Sequence, residues 1–283
     1  MPPLAWQCRG HRFEFGRRPL VMGIVNVTPD SFSDGGHFAD PARAVDRALQ
    51  LVDEGADILD VGGESTRPGS APVSPGEEIR RVVPVVAAIA KCTAVPISVD
   101  TTKAAVARRC LDAGATIVND VTGLRGDPSM AAVVAEFRAG VVVMHMRGTP
   151  ATMQADPHYA DVVAEVAAFF EERLHALAAA GISEEAVCLD PGIGFGKALG
   201  HNLDLLANLG AFARFGRPVC LGVSRKGFVG TLCGRAVADR TAGSLAVACF
   251  AAARGGTQVL RVHDVGPTRD AAVLLDAIDR SRR

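Results

Sequence analysis

The 283-residue chain lacks three features that mark whole classes of protein. Its net charge is only -1 and its Lys and Arg residues are scattered, so no basic stripe could follow a nucleic-acid backbone. Its apolar run at 244–253 is about half of the ~20 residues that a membrane span needs, and it predicts a buried helix. The first 18 residues are rich in arginine and lack the apolar segment of a signal peptide. We expect a soluble, cytoplasmic protein that binds neither nucleic acid nor membrane.

Cysteine motifs are also absent. The seven cysteines form no C-x-x-C pair and no metal-ligand spacing with histidine. Most lie in apolar segments, which is typical of buried, reduced thiols that pack as small hydrophobic side chains. The sequence therefore indicates neither a zinc site nor disulfide bonds.

What the sequence does contain is an alternation of eight runs rich in Val, Ile and Leu with stretches of helical periodicity. The runs predict strands at 20–26, 57–62, 95–100, 116–121, 140–146, 187–192, 219–224 and 259–264. The remaining stretches predict helices at 40–54, 76–91, 103–113, 129–138, 158–180, 202–214, 239–254 and 267–280. A doubly wound sheet shows the same alternation, but eight units without a linker or a composition shift favour a TIM (β/α)8 barrel of the α/β class. We expect a single domain, in which residues 1–18 form a short extension closing the barrel bottom and residues 19–283 form the barrel.

Polar side chains end every predicted strand. The active site of a TIM barrel lies at these C-terminal strand ends. A single polar residue at a strand end is about as often a helix cap or a loop contact as it is a functional residue. Polar groups at the ends of all eight strands favour a functional site. The candidates are Asn26, Asp60, Glu64, Asp100, Asn119, Asp120, His145, Asp190, Ser224, Arg225, Lys226, Arg261 and His263.

Seven of these candidates, together with Arg67 in the loop after the second strand, fall into two chemical groups. The first offers donors and acceptors in an apolar barrel mouth, which suits a flat heterocycle with an amino-pyrimidinone edge, and consists of Asp100, Asn119, Asp190 and Lys226. The second suits an oxyanion and consists of Asn26, Arg67, Arg261 and His263. In this group the Asn26 amide oxygen can serve Mg²⁺, which binds through few protein ligands together with substrate phosphates. The predicted ligand is a heterocycle that carries a diphosphate.

Two other motifs have structural interpretations. The segment "GIGFGK" at 192–197 resembles a phosphate loop, but Ala198 stands where that motif needs Ser or Thr. It also follows the sixth strand, so it is no dinucleotide-binding fingerprint, and we interpret it as a close-packed turn over a bound ring. His145, between Met144 and Met146, is interpreted as a histidine satisfied beside a strand end.

Seven stretches together closely resemble bacterial dihydropteroate synthases, the folate-pathway enzymes that sulfonamides block. They are "MGIVNVTPDSFSDGG" (22–36), "DVGGESTRPG" (60–69), "SVDTTK" (98–103), "VNDVTG" (118–123), "LDPGIGFGK" (189–197), "VSRKGF" (223–228) and "RVHDV" (261–265). The first two are highly specific. The resemblance extends over nearly the whole chain.

The resemblance implies a condensation of 6-hydroxymethyl-7,8-dihydropterin diphosphate with p-aminobenzoate, which yields 7,8-dihydropteroate and diphosphate with the help of Mg²⁺. The implied pterin contacts are Asp100, Asn119, Met144, Asp190, Phe195, Gly222, Lys226 and Arg261. The implied diphosphate contacts are Asn26, Arg67, Arg261 and His263, with Asn26 also the metal position. The implied p-aminobenzoate contacts are Phe32, Thr66, Pro68, Ser224 and Lys226. The implied catalytic residues are Asp100, Lys226, Arg261 and His263. The resemblance also implies a homodimer, with the helix at 244–253 either at the interface or in the core.

The chemistry that the resemblance implies also indicates how the reaction would proceed. The positive charge left when diphosphate departs can delocalise into the dihydropterin, which favours a dissociative path near Asp100 and Asp190. Residues 28–36 are expected to fold over the site once the anion is bound, because the ring of Phe32 stands among polar residues with no evident core to join.

Three alternatives stay open from the sequence. A pterin-binding module without condensation activity would not need "STRPG" or the diphosphate group, and this chain has both. An inactive paralogue would keep the fold but lose activity. A TIM-barrel aldolase would need Lys226 as its Schiff-base lysine, for which the adjacent Arg225 is weak support.

Overall fold

A computed structural model describes residues 4–16, 18–28, 41–66 and 69–281 of the chain. Within these ranges, all eight predicted barrel strands are present. They are β3 (Leu20–Asn26), β4 (Ile58–Gly62), β5 (Ile97–Asp100), β6 (Ile117–Asp120), β7 (Gly140–Met144), β8 (Val187–Asp190), β9 (Cys220–Leu221) and β10 (Val259–Val262). A short hairpin of β1 (Ala5–Cys8) and β2 (His11–Glu14) precedes them.

The eight barrel strands run parallel in the order β8-β7-β6-β5-β4-β3-β10-β9. The barrel closes between β8 and the segment before β9 through a single parallel bridge, Leu189 with Val219. There the Leu189 N–H donates to the Pro218 carbonyl at 2.9 Å. The predicted TIM barrel is therefore confirmed.

Helices follow the strands on the outside of the sheet. They are α1 (Pro41–Asp53), α2 (Pro75–Cys92), α3 (Ala104–Asp112), α4 (Met130–Phe137), α5 (Val162–Ala179), α6 (Leu199–Ala207), α7 (Gly227–Cys233), α8 (Thr241–Ala253) and α9 (Val265–Ser281). Short 3₁₀-helices lie at Glu184–Ala186, Leu209–Phe215 and Val237–Asp239. The prediction of one helix over 202–214 is wrong: α6 ends before Asn208, and the chain tightens into a 3₁₀-helix that contains Gly210. Helix α7 was not predicted, because two glycines in seven residues leave little helical pattern.

The apolar patterning explains why these segments pack as they do. In α2, the buried residues Val82, Val85, Val86 and Ile89 recur at helical spacing and face the sheet. The Ser74 side chain caps this helix by accepting from the Glu77 N–H at 3.3 Å. Strands β4, β6, β7 and β8 are buried at every residue, as expected for a parallel sheet covered by helices.

The hairpin packs against the N-terminal ends of the barrel strands. Trp6 and Cys8 are fully buried in a hydrophobic cluster. The cluster also contains residues from the beginnings of the barrel strands, among them Met22, Ile58 and Val259. The Trp6 indole N–H donates to the Ala186 carbonyl at 2.9 Å. The active-site end of the barrel, at the C-termini of the strands, is the opposite end.

Two expectations about burial need correction. All seven cysteines are free, but Cys92 and Cys233, at the last residues of α2 and α7, are exposed rather than buried. Helix α8 is also not buried on all sides: Ser244, Ala248 and Ala251 face the core, whereas the Phe250 side chain is 41% exposed. In the part of the chain that the structure describes, no helix combines the length and the apolar character of a membrane span.

Candidate active site

A cleft of about 340 Å³ opens at the C-terminal ends of the barrel strands. Strands β5 to β8 each contribute their last or next-to-last residue, and β9 and β10 complete the wall. The lining residues are Thr66, Asp100, Asn119, Val121, Met144, Asp190, Gly192, Ile193, Phe195, Gly222, Lys226 and Arg261. The structure thus brings together all eight residues that the sequence assigned to the pterin. The sequence analysis missed Val121, which directly follows the strand-end residue Asp120, whereas Gly192 and Ile193 belong to the turn predicted to lie over a bound ring.

A charged network forms one wall of the cleft. The Arg261 guanidinium donates through Nε to Asp60 Oδ2 and through Nη2 to Asp100 Oδ2, both at 2.6 Å. The Asn119 amide nitrogen donates to the same Asp60 oxygen at 3.1 Å. One cation therefore bridges two carboxylates that belong to neighbouring strands.

Burial shifts the ionisation of this wall. Burial raises the pKa of Asp100 to about 7, although the charge of Arg261 opposes this shift. Burial also raises the pKa of Asp190, against a hydrogen bond from the Gly192 N–H at 2.7 Å. The two acids are therefore poised to change charge closer to neutrality than ordinary carboxyl groups are.

Lys226 provides a cation on the opposite side. Its Nζ lies 4.1 Å from the centre of the Phe195 ring, within the range of a cation–π interaction. Burial lowers the pKa of Lys226 to about 8, while the charge of Asp190 opposes the shift. A flat ligand in the cleft would meet acceptors on the Asp100 side and a cation on the Phe195 side.

The turn at 192–197 is close-packed, as predicted. Gly192 has φ +67°, and a β-carbon there would lie 1.9 Å from the His145 carbonyl oxygen. Lys197 is 3% exposed and donates to the His145 ring and to the Phe195 carbonyl, each at 3.0 Å. Asn202 also binds the turn, by accepting from the Gly194 N–H at 2.6 Å. The role of Lys197 in holding this turn was not predicted.

His145 is a packed histidine, as expected from its position. Its ring stands edge-on to Phe169 at 5.0 Å between centres and contacts Lys197. Burial and the neighbouring cations lower the pKa of His145 to about 2, so the ring is neutral. It does not line the cleft.

Asn26, Ser224 and His263 lie outside the lining of the cleft, at the ends of β3, β9 and β10. The Ser224 hydroxyl accepts from the His263 backbone N–H at 3.2 Å and lies 3.0 Å from His263 Nδ1. The Asn26 side chain is half-buried and forms no hydrogen bond with another described residue.

The donor set at Asn26 fits Mg²⁺ only as part of a shared site. Among the described residues, no group of three or more His, Cys, Asp or Glu side chains is placed to hold a metal. A single amide oxygen is nevertheless what Mg²⁺ uses when phosphate oxygens and water supply its other ligands.

A partly buried ion cluster anchors the loop after β4. Lys103 Nζ donates to Glu64 Oε2 at 2.6 Å and also to Glu78, whose side chain is fully buried. The other oxygen of Glu64 accepts from the Val73 N–H at 2.7 Å. This loop carries Thr66 to the cleft. Phe32, Arg67 and Pro68, which the sequence analysis assigned to substrates, lie outside the described residues.

Two strand-end candidates form hydrogen bonds outside the cleft. The Arg225 guanidinium, next to Lys226, forms a two-pronged ion pair with Asp264 and does not line the cleft. Asp120 Oδ1 accepts from both the backbone N–H and the hydroxyl of Thr122, each at 2.7 Å. These two residues therefore build loops rather than the wall of the cleft.

Comparison with known proteins identifies the family. The family model described as pterin binding enzyme matches residues 22–263. The dihydropteroate synthase of Escherichia coli (strain K12) is 49% identical over 259 residues, which cover 92% of this chain and 91% of that protein. The structure of Xanthomonas albilineans dihydropteroate synthase with 4-aminobenzoic acid matches with a TM-score of 0.91 and 47% identity over 98% of each chain. The same enzyme in complex with 7,8-dihydropteroate matches with a TM-score of 0.88 and 45% identity over 97% of this chain and 98% of that one. The chain belongs to the pterin binding enzymes and, within them, to the dihydropteroate synthases.

Proposed function

We propose that the protein condenses 6-hydroxymethyl-7,8-dihydropterin diphosphate with p-aminobenzoate to give 7,8-dihydropteroate and diphosphate. The observation that carries this proposal is the convergence of Asp100, Asn119, Asp190, Lys226 and Arg261 on one cleft. Relatives with nearly half of their residues identical are dihydropteroate synthases, and one is solved with 4-aminobenzoic acid and with 7,8-dihydropteroate. Sulfonamides, as arylamines, would compete for the p-aminobenzoate position.

The pterin occupies the cleft in this proposal. Asp100, Asp190 and the Asn119 carbonyl accept from the N–H groups of the ring, which offsets the cost of burying two acids. Lys226 donates to a ring acceptor, and Met144, Phe195, Gly222 and Arg261 enclose the ring faces. The charges of Asp100 and Asp190 favour the cation that forms when the leaving group departs.

The diphosphate lies towards the rim in this proposal. Asn26, Arg67, Arg261 and His263 bind it and hold it in line with the bond that breaks. Asn26 would hold Mg²⁺ together with the phosphates, and the ion would neutralise charge that develops on the leaving oxygen.

The reaction then proceeds as a substitution at the pterin methylene. The carbon–oxygen bond breaks and its electron pair leaves with diphosphate. The p-aminobenzoate nitrogen forms the new bond to the same carbon and releases one proton. Phe32, Thr66, Pro68, Ser224 and Lys226 orient the arylamine. We expect residues 28–36, which beyond Thr28 lie outside the described residues, to fold over the bound anion and exclude water.

Product formation tests this function. Purified protein is given dihydropterin diphosphate and Mg²⁺, with and without p-aminobenzoate, while diphosphate release and dihydropteroate are followed by chromatography. We expect dihydropteroate only when both substrates are present. Tight pterin binding without product would instead identify a binding module or an inactive paralogue.

The assembly and the setting complete the proposal. Of the seven large hydrophobic side chains that are exposed in the described residues, six lie in or between α7, α8 and α9: Leu232, Val237, Phe250, Val273, Leu274 and Ile278. We expect these helices to form the interface of a homodimer, which light scattering would report as twice 29.4 kDa. We also expect a cytoplasmic enzyme, where its thiols stay reduced, in which residues 1–18 close the barrel of residues 19–283.

A further inference from the structure

Asp60 stands directly behind the cleft without lining it. Its side chain, on β4, is 0% exposed. One of its oxygens, Oδ2, accepts both from Arg261 Nε and from Asn119 Nδ2. Its other oxygen, Oδ1, is buried and has no hydrogen-bond partner in the described residues. Within the described residues, all hydrogen bonds of the Asp60 carboxylate therefore go to two residues that line the cleft.

The chemistry of this contact fixes the orientation of Asn119. An amide has a donor end and an acceptor end, and a carboxylate only accepts. One N–H of the Asn119 amide is therefore held on Asp60, which fixes the plane of the amide and the direction of its carbonyl Oδ1, the acceptor that this side chain offers to the cleft. Reversing the amide would bring two acceptors together in a buried position, which is costly.

The same carboxylate also fixes Arg261. Arg261 Nε donates to Asp60 and Arg261 Nη2 donates to Asp100, both at 2.6 Å. Two carboxylates therefore hold the planar guanidinium from two sides. Asp60 thus controls the direction of one acceptor and one cation in the pterin cleft.

We propose that Asp60 is a positioning residue that sets the ligand specificity of the cleft, by holding Asn119 as an acceptor and Arg261 in one orientation. The cleft then selects rings that present an N–H group to the Asn119 carbonyl oxygen and rejects rings that present a lone pair to that oxygen. This inference rests on the proposed function, since it assigns the pterin to the same cleft.

A buried aspartate on β6 supplies a matched control. Asp120 is also 0% exposed and also has one buried oxygen, Oδ2, without a partner in the described residues. Its other oxygen binds Thr122 rather than a residue of the cleft wall. Asp120→Ser therefore removes a similar buried carboxylate, one whose hydrogen bonds go to Thr122 and not to the side chains of Asn119 or Arg261.

The experiment compares Asp60→Ser, Asp60→Asn and Asp120→Ser with the unmodified protein. The KM values for both substrates, kcat and the Kd of the pterin are measured for each. We expect Asp60→Ser to weaken pterin binding by about 10- to 100-fold and to leave the KM for p-aminobenzoate within about twofold. Asp60→Asn should recover most of the affinity, because its amide oxygen can still accept both bonds. Asp120→Ser should keep the pterin Kd of the unmodified protein.

Three results would overturn the proposal: equal losses in Asp60→Ser and Asp120→Ser, no recovery in Asp60→Asn, or parallel changes in both KM values. Should Asp60→Ser not fold, the unmodified protein tests the orientation directly by NMR. Of the two Asn119 side-chain NH₂ signals, assigned by their absence from Asn119→Ser, the one whose proton is donated to Asp60 should exchange slowly with water and move little when pterin binds. A large shift of both signals on binding would show that the NH₂ group leaves Asp60 for the ligand and would overturn the proposal.

The two proposals fail in different ways. If the unmodified protein forms no dihydropteroate, the proposed function is wrong, and the pterin Kd series still judges the role of Asp60. If product forms but the Kd series is flat, only the role of Asp60 is wrong.

Discussion

At the scale of single residues, Asp100 and Lys226 are an acid and a base that line the same cleft. Their pKa values are shifted from the ordinary values of their side chains towards each other. The pKa of Asp100 is raised to about 7, and that of Lys226 is lowered to about 8, in both cases chiefly by burial. In the proposed function, the acid works as an anion and the lysine as a cation. The site is fully charged only in a narrow pH range between these values.

This displacement predicts a bell-shaped pH dependence of kcat/KM for the pterin substrate. Activity should fall below about pH 7, where Asp100 takes up a proton, and above about pH 8, where Lys226 loses one. Initial rates across the pH range measure the profile. Asp100→Asn should abolish the acidic limb and Lys226→Arg should move the alkaline limb upwards. An unchanged profile in both variants would contradict the assignment.

The turn beside the cleft leaves no space for a side chain at Gly192. Gly192→Ala adds a β-carbon at a position of positive φ, 1.9 Å from the His145 carbonyl oxygen. We expect the free energy of unfolding to fall by more than about 2 kcal/mol, together with weaker pterin binding. Urea denaturation and calorimetry measure the two effects. Gly200→Ala, in the exposed first turn of α6 where a β-carbon meets nothing within 4 Å, is the control and should stabilise by about 0.5 kcal/mol.

At the scale of elements, Lys103 joins the start of α3, helix α2 and the loop after β4. Lys103→Met would leave the buried Glu78 without its cation, so we expect a loss of about 3 kcal/mol in the free energy of unfolding. Because the same lysine anchors the loop that carries Thr66, the KM for p-aminobenzoate should rise by about tenfold, with little change in the pterin Kd. Lys91→Met, at the exposed end of α2, is the control and should change neither quantity. A larger effect on pterin than on p-aminobenzoate would contradict this role of the loop.

The elements also show what could be predicted from the sequence. Repeating apolar runs fix the number and order of the barrel units, because each strand is buried on both faces and each helix on one. The convergence of Asp100, Asn119 and Asp190 follows from their places at the ends of parallel strands. Their binding roles stay predictions.

Other features depend on contacts between distant segments. Lys103 lies 39 positions from Glu64 and 25 positions from Glu78 in the sequence. No local sequence pattern predicts contacts over such separations. Asp60 is recognisable as a strand-end acid, but only the fold shows that it lies behind Asn119 and Arg261. Helix α7 could not be predicted from the sequence, because its two glycines weaken the helical pattern.

At the scale of the whole molecule, the hairpin at the N-terminus contributes to the core of the barrel. Trp6 is fully buried there and its indole is hydrogen-bonded, so Trp6→Ala should lower the free energy of unfolding by about 3–5 kcal/mol. Urea denaturation measures the loss. Arg12→Ala, on the exposed face of the same hairpin, should leave the stability nearly unchanged. Equal stability of the two variants would show that the hairpin is dispensable.

The short closure of the barrel has a consequence for how the protein moves. Strand β9 has two residues, and one bridge joins its approach to β8, so the junction between Leu189 and Val219 is the thinnest in the sheet. Local opening should begin there, and the amides of this junction should exchange hydrogen for deuterium before those of β4 and β5. In the proposed complex, the pterin contacts Asp190 on one side of this junction and Lys226 on the other. Bound substrate would then hold the two sides of this junction together, and its binding should slow the exchange of the junction amides, although Leu189 and Val219 do not line the cleft.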